Sequence, residues 1–127
     1  MLLTWLIGKR RADASRRIDD WALRFEDGSV LITECLWRLV DSERILVTSF
    51  DQGEKSIILV TRGGNEEVAT VFRDAAQELT GHLRNVTIRS AIVRSTTNDL
   101  QIEFDDSLTL SVVFDRSKRG AWCLQSP

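Results

Sequence analysis

One pattern occurs twice in this chain, as WALRFEDGSVLI at residues 21–32 and as LQIEFDDSLTLS at residues 100–111. In both copies large apolar residues alternate with other residues, and a short acidic segment separates two such runs. Alternation with a period of two is typical of a strand that buries one face, and acidic segments with Gly or Ser are typical of turns. The pattern therefore predicts two β-hairpins, each with one face in the core.

The acidic pairs Glu26-Asp27 and Asp105-Asp106 lie at the two predicted turns. Asp-Gly in the first favours a two-residue turn, because both central residues accept positive φ. Asp-Ser in the second suits that geometry less well, which predicts a longer or bulged turn. Neither pair has the alternating oxygen ligands and closing Glu of a calcium loop, so turn chemistry explains these acids.

The similarity extends to both sides of the hairpins. The motif L-x-G-x-x-R precedes each hairpin, and W-x-L follows it. These motifs lie at residues 6–11, 37–39, 79–84 and 122–124. The shared order predicts an internal duplication, and two copies with unequal spacing are unlike the regular repeats of a solenoid.

A length of 127 residues and an apolar fraction of 43% favour one domain with one core. We interpret residues 1–127 as that domain, built from two pseudo-repeats at about 6–39 and 79–124. Trp37 and Trp122 occupy matching places in them. Core packing with a satisfied indole N–H is the expectation for both, and an exposed anchor in a protein interface is the alternative.

The segment between the pseudo-repeats predicts more sheet and then a helix. Two β-branched runs within residues 45–62 flank a short polar stretch, which predicts a further hairpin. Asn65 is then a favourable N-cap, and apolar residues recur at helical spacing up to Leu79. We predict one amphipathic helix at about 66–80, ended by Gly81.

The expected fold class is α+β and mainly antiparallel β. We expect the two hairpin units to form one curved sheet or partly closed barrel. The single helix is expected to cover one face of that sheet.

The net charge of −2 is unevenly distributed. Residues 1–24 contain six Lys or Arg and three Asp or Glu, whereas residues 25–127 contain eleven and sixteen. A mildly acidic bulk argues against a nucleic-acid partner, which requires a basic face to neutralise phosphates. The five basic residues within 9–17 fit either a solvated segment or a patch for an anionic partner.

The chain lacks recognisable targeting and membrane-spanning sequences. Its apolar start precedes the basic residues, whereas a secretory signal has the reverse order, and no apolar run approaches the roughly 20 residues of a membrane span. Two distant cysteines are not a disulfide framework. We expect a cytoplasmic protein without a membrane partner.

Residue patterns for catalysis and metal binding are scarce. The single histidine, His82, is expected to lie exposed near the end of the predicted helix, rather than to act as a ligand or base. One His and two separated Cys provide no zinc ligand set, and neither a nucleophile elbow nor a P-loop is present in the sequence. We therefore predict no catalytic residues, no metal and no cofactor, and a chain that is not an enzyme.

The duplicated order L-x-G, L-x-F-x-D-G, W-x-L resembles a group of small bacterial domains of unknown function, with Ser in place of the last Gly in the second copy. The resemblance covers residues 6–39 and 79–124. Members of this group are found as accessory or immunity-like proteins beside toxin genes. The resemblance implies an immunity-like protein and carries over no catalytic residue.

We predict a protein-binding module, in its most concrete form an immunity-type protein that occludes a basic toxin. An acidic surface would steer association with such a partner. The candidate contact residues are Glu26, Asp27, Asp105, Asp106 and Arg38. The alternative is a small-ligand-binding or enzymatic domain with a pocket between the pseudo-repeats, and the sequence leaves self-association into a homo-oligomer open.

Overall fold

The computed structural model describes residues 1–114 and 122–127. It confirms an α+β fold that is mainly antiparallel β, with one α-helix in the described part of the chain. A short 3₁₀ helix at Thr4–Leu6 and the helix α1 at Ala75–Leu83 accompany the strands. The strands are β1 (Asp13–Arg16), β2 (Trp21–Arg24), β3 (Val30–Thr33), β4 (Leu36–Val40), β5 (Ile45–Thr48), β6 (Gly53–Val60), β7 (Glu66–Arg73), β8 (Ile88–Val93), β9 (Leu100–Phe104), β10 (Thr109–Val113) and β11 (Trp122–Gln125).

The strands form three antiparallel sheets with the orders β1-β2-β3-β11, β5-β4-β10-β9-β8 and β6-β7. The two predicted hairpins are β2-β3 and β9-β10, and they lie in different sheets rather than in one curved sheet. Among the described strands, no sheet closes into a barrel. The inward residues of both hairpins nevertheless belong to one hydrophobic core.

The two hairpins have the same internal register. Trp21 lies opposite Thr33 in the first, and Leu100 lies opposite Val112 in the second. The other matched inward residues are Leu23, Phe25 and Leu31 in the first hairpin and Ile102, Phe104 and Leu110 in the second. All of them are buried, which confirms the face that the alternation predicts.

Each hairpin receives an outer strand from the other half of the chain. β4 follows the first hairpin but pairs with β10 of the second, with Trp37 opposite Val112. β11 follows the second hairpin but pairs with β3 of the first, with Trp122 opposite Thr33. This exchange divides the two hairpins between two sheets, and for that reason a single curved sheet does not form.

The two matched tryptophans differ in burial. Trp37 is 3% exposed and packs edge-to-face against Trp21, with ring centroids 5.0 Å apart. Trp122 is half-buried, and its indole N–H donates to the backbone carbonyl oxygen of Asn98 at 2.8 Å. The predicted core role is therefore confirmed for Trp37, whereas Trp122 packs at the edge of the core.

The helix is present but begins later than the sequence predicts. It spans Ala75–Leu83 rather than about 66–80, and residues 66–73 form β7 instead. Val68 and Val71 within this segment are β-branched and favour extended backbone. Their apolar spacing fits a helix as well as a strand, and pairing with β6 decides for the strand.

Asp74 determines where α1 begins. Its carboxylate accepts the backbone N–H of Gln77 at 3.1 Å, which makes Asp74 the N-cap. The buried residues of α1 are Ala75, Ala76, Leu79 and Leu83. The hydroxyl of Thr80 also accepts the backbone N–H of Ala14 on β1 at 2.8 Å, so the helix of the second half packs against the first.

Both hairpin turns contain three residues, closed by hydrogen bonds from Phe25 to Ser29 and from Phe104 to Leu108, so the two-residue turn predicted for the first is wrong and the longer turn predicted for the second is confirmed. In the first turn Gly28 has a φ of +92°, whereas Asp27 has no positive φ. The Asp27 carboxylate instead accepts the backbone N–H of Ser29 at 2.9 Å. In the second turn Asp106 and Ser107 have φ values of +60° and +61°. The pair of positive φ values that the sequence predicts for Asp-Gly therefore occurs at Asp-Ser.

Candidate protein-binding surface

A two-stranded hairpin at residues 53–73, which we call the arm, consists of β6, its turn and β7. The strands pair over eight residues each, from Gly53 opposite Arg73 to Val60 opposite Glu66. Within the described chain, neither strand pairs with a third one. A two-stranded sheet is only marginally stable in water by itself. The stability of the arm therefore depends on its turn, on its root, which is the end that joins the body of the protein, and on any partner that binds it.

The turn of the arm has a compact hydrogen-bonded geometry. The backbone N–H of Thr61 donates to the carbonyl oxygen of Asn65 at 2.9 Å, and the N–H of Asn65 donates to the Thr61 hydroxyl at 3.2 Å. Gly64 has a φ of +79°, a conformation that glycine adopts without steric cost. The turn thus fixes the register in which the two strands meet.

Arg73 anchors the root of the arm to the body of the protein. Its guanidinium contacts Glu78 of α1 through Nε–Oε2 and Nη2–Oε1 distances of 3.1 and 2.5 Å. It also contacts Asp51 at 3.0 Å. The hydrogen bonds that Arg73 donates to Glu78, together with the negative charges of Asp51 and Glu78, raise the pKa of Arg73 above its ordinary value. The backbone N–H of Ala75 donates to the Gln52 side chain at 2.8 Å, which adds a second link at the root.

The two sides of the arm differ in their exposure. Cross-strand partners share a side, so even-numbered residues of both strands lie together. Four large apolar side chains on this side are 64–74% exposed. We call them the apolar face, and they are Ile58, Val60, Val68 and Phe72. The large apolar residues of the opposite side, which are 39–48% exposed, are Ile57, Leu59 and Val71.

Two exposed carboxylates flank the apolar face. Glu54 lies opposite Phe72 near the root, and Glu66 lies opposite Val60 near the tip. Neither carboxylate has a cationic partner among the residues that the structure describes. The surface thus has an apolar centre and acidic ends, an arrangement that suits a partner with an apolar patch and basic residues around it.

The chain exposes more surface than its mass requires. Its accessible surface is 8248 Å², whereas a compact protein of 14.4 kDa exposes about 6,800 Å². The difference of about 1,400 Å² exceeds the roughly 800 Å² that each partner buries in a standard interface. Contiguous exposed apolar surface typically marks an interaction site.

The first predicted contact site lies at the turn of the β2-β3 hairpin, where basic residues neutralise it. Glu26 accepts a hydrogen bond from Nε of Arg10 at 2.9 Å, and Asp27 forms an ion pair with Lys9. The hydrogen bonds from Lys9 and then Ser29 lower the pKa of Asp27 to about 2. The basic cluster and the first acidic tip therefore bind each other. Their role in binding a partner stays a prediction.

The other predicted contact residues lie in the five-stranded sheet. Asp105 accepts the backbone N–H of Thr87 at 3.2 Å, and Asp106 is exposed at the turn. Arg38 is exposed on β4, opposite Ser111 of β10. The structure thus places these three residues in a different sheet from Glu26 and Asp27.

An open cavity of about 370 Å³ lies between the pseudo-repeats, beside β1 and α1. A much smaller cavity lies between the two hairpins. Its walls include Trp21 and Leu31 from the first hairpin and Leu110 and Val112 from the second. Its volume is about 20 Å³, which is room for about one water molecule. Small-molecule sites have volumes of about 300–1,000 Å³.

Other groups with chemical potential are dispersed. His82 is exposed in the last turn of α1, and neither Cys35 nor Cys123 forms a disulfide. Within residues 1–114 and 122–127, no three His, Cys, Asp or Glu side chains form a group that could hold a metal ion. In the same part of the chain, no helix combines the length and the apolar character that a bilayer span requires.

Comparison of the chain with protein-family models, with curated proteins and with solved structures finds no match. The function is therefore inferred from the residues themselves. The sequence pattern predicts strands up to residue 62 but does not distinguish the arm as a binding surface. The signal available was the run of four apolar residues, Ile57 to Val60, that lacks the alternation of a half-buried strand.

Proposed function

We propose that this chain is a non-catalytic protein-binding module and that the apolar face of the arm is its contact surface. The observation that carries the proposal is the exposure of four large apolar side chains on a two-stranded hairpin that no other described element covers. Their removal from water by a partner would stabilise both the complex and the arm itself.

Charge indicates the chemistry of the partner. Glu54 and Glu66 flank the apolar face, and the chain as a whole has a net charge of −2. Complementary charge accelerates association and disfavours wrong partners. The partner we propose is a basic protein, and a toxin neutralised in the cytoplasm, as by an immunity protein, is its most specific form.

The anchored root favours this role. Because Arg73 binds Glu78 and Asp51, the end of β7 is held against α1 and the chain that leads into β6. A surface fixed at its base loses less conformational freedom on binding than a free loop does. The arm therefore presents a partly preorganised strand surface.

Two neighbouring isoleucines provide a matched test. Ile58 lies on the apolar face and Ile57 on the opposite side of the same strand. A partner that co-purifies from the host would be identified, purified separately and titrated calorimetrically with the wild-type chain and with Ile58→Lys and Ile57→Lys. We expect Ile58→Lys to weaken binding at least about 100-fold, in the range of an interface hot spot.

Ile57→Lys is the control, because it adds the same charge to the same strand and should weaken binding less than about 5-fold. Thermal unfolding of both variants should match that of the wild type. Equal binding by all three proteins would disprove the proposal. Loss of binding only in Ile57→Lys would show that the contact surface is the opposite side of the arm.

A further inference from the structure

We infer that two copies of this chain join through the outer edges of β7, which pair antiparallel around Thr70 to form a four-stranded sheet from two arms. The inference rests on the proposed binding role of the arm and adds a second copy as the partner of its edge. The apolar face stays free for the basic protein.

The register of the arm shows which backbone groups point outward. In antiparallel pairs, hydrogen-bonded and non-hydrogen-bonded residue pairs alternate. Thr61 and Asn65 form a hydrogen-bonded pair at 2.9 Å, so Val60 and Glu66 form a non-hydrogen-bonded pair. The backbone groups that point away from β6 therefore belong to every second residue of β7. These are Glu66, Val68, Thr70 and Phe72.

Self-pairing around Thr70 gives favourable partners along the strand. The Thr70 residues of the two copies would face each other and exchange two backbone hydrogen bonds. Val68 would lie opposite Phe72, a pair that occurs twice by symmetry. Thr–Thr and aromatic–β-branched pairs are among the cross-strand combinations that stabilise antiparallel sheets. Arg73, which would lie opposite Glu67, stays bound to Glu78 and Asp51.

The outer edge of β6 is less complementary to itself. A register centred on Ile58 would place Glu54 opposite Arg62, but also Ser56 opposite Val60 and Lys55 opposite Thr61. On each side of the two-fold axis, polar Ser56 would then lie against an apolar residue, and Lys55 would lack an acidic partner. Lys55 is in addition the residue type that natural edge strands use against pairing with another chain. Pairing through β7 is therefore the arrangement that the residues favour.

The protein covers another of its sheet edges. The amino-terminal segment lies along β8. The backbone N–H of Leu3 donates to the carbonyl oxygen of Ala91, and the N–H of Val93 donates to the carbonyl oxygen of Met1, both at 2.8 Å. β7, in contrast, is eight residues long, contains no Pro and no Lys, and has an outer edge that no described strand covers. Such an edge is a template for pairing with another chain.

A two-fold axis perpendicular to the sheet places both apolar faces on the same side of the dimer. The dimer would therefore double the contact surface that we propose for the basic partner.

Proline substitution tests the edge with a matched control. Thr70 and Ser56 lie opposite each other, and their N–H groups point to opposite edges of the arm. Proline at either position removes an outward N–H and spares the pairing within the arm. Sedimentation equilibrium should show a dimer for the wild type and for Ser56→Pro. Thr70→Pro should raise the dimer dissociation constant about 10- to 100-fold, since two hydrogen bonds are lost by symmetry.

A cysteine at the axis provides a second measurement. In a Cys123→Ser background, a short bismaleimide should crosslink Thr70→Cys between two copies, because hydrogen-bonded antiparallel pairs have Cα atoms about 5.5 Å apart. Ile58→Cys on the other strand should crosslink far more slowly. A reversed pattern, in both the proline and the cysteine variants, would show that the β6 edge is used and would overturn the inference.

The outcomes separate this inference from the proposed function. A wild-type chain that stays monomeric at all concentrations, while Ile58→Lys still loses the basic partner, would disprove the dimer and leave the binding role intact. A dimer that depends on Thr70, in a protein whose partner binding is unchanged by Ile58→Lys, would support the dimer and disprove the proposed role of the apolar face.

Discussion

The exchanged hairpins and the arm consist of similar sequence, with runs of apolar and β-branched residues, but their surroundings differ. Ile102 of the second hairpin is fully buried, because β4 and β8 pair with that hairpin and the core packs against it. Ile58 of the arm is 64% exposed, because no described element packs on its side. The number of neighbouring elements, and not the apolar sequence alone, thus decides whether such a strand is buried.

The largest change in stability is expected when an aromatic residue is removed from the core. Trp37→Ala should cost about 3–5 kcal/mol, because it loses contact with Trp21 and enlarges the existing cavity beside it. That loss is a large fraction of a total stability of about 5–15 kcal/mol. Urea unfolding followed by circular dichroism measures the change.

Trp122→Ala is the matched control from the other half of the chain. Because Trp122 is half-buried, its loss should cost less, about 1–2 kcal/mol. Equal losses for the two variants would contradict the difference in burial. A change near zero for Trp37→Ala would contradict its core role.

A smaller effect should appear at the first hairpin turn. The hydrogen bonds from Lys9 and Ser29 lower the pKa of Asp27 from its ordinary value of 3.8 to about 2. Since the pKa in the folded state lies below that in the unfolded state, ionised Asp27 stabilises the fold above about pH 4. This contribution is lost as the pH falls from about 4 through about 2. Exposure to solvent keeps it small.

Urea midpoints of the wild type and Asp27→Asn should therefore differ at pH 6 and converge at pH 2. Lys9→Met, which removes the cation and keeps the carboxylate, should reproduce part of the same pH dependence. A difference that stays constant from pH 6 to pH 2 would show that the ion pair does not contribute to stability.

The smallest effect is expected on the arm. Phe72→Ser should change the free energy of unfolding by no more than about 0.5 kcal/mol, because Phe72 is 65% exposed. The Thr70→Pro background separates this change from any effect on self-association. Phe104→Ser, at a buried position, is the control and should be strongly destabilising. Similar losses at both positions would mean that the arm is packed in solution.

The sequence was sufficient for the two core hairpins, since Trp21 to Phe25 and Leu100 to Phe104 alternate clearly between inward and outward positions. The sequence did not predict the secondary structure of residues 66–73, because their apolar residues fit helical spacing as well as strand spacing. It was also insufficient for sheet order, because alternation shows which face is buried but not which strand lies alongside.

The candidate site was harder to predict than the fold. Glu26 and Asp27 are visible as acidic turn residues, but only folding places Lys9 and Arg10 beside them. The apolar run from Ile57 to Val60 is normally evidence for burial. Its exposure depends on the absence of a covering element in the described structure, which no local pattern encodes.

The exchange of outer strands also affects how the chain acquires its structure during synthesis. Val30 pairs with Gln125, so the four-stranded sheet is completed only after β11 has left the ribosome. Until then the edge of β3 lacks a partner strand. Pairing across such sequence separations is slow, and exposed edges attract other chains meanwhile. A nascent chain paused before residue 122 is therefore the form most in need of a chaperone.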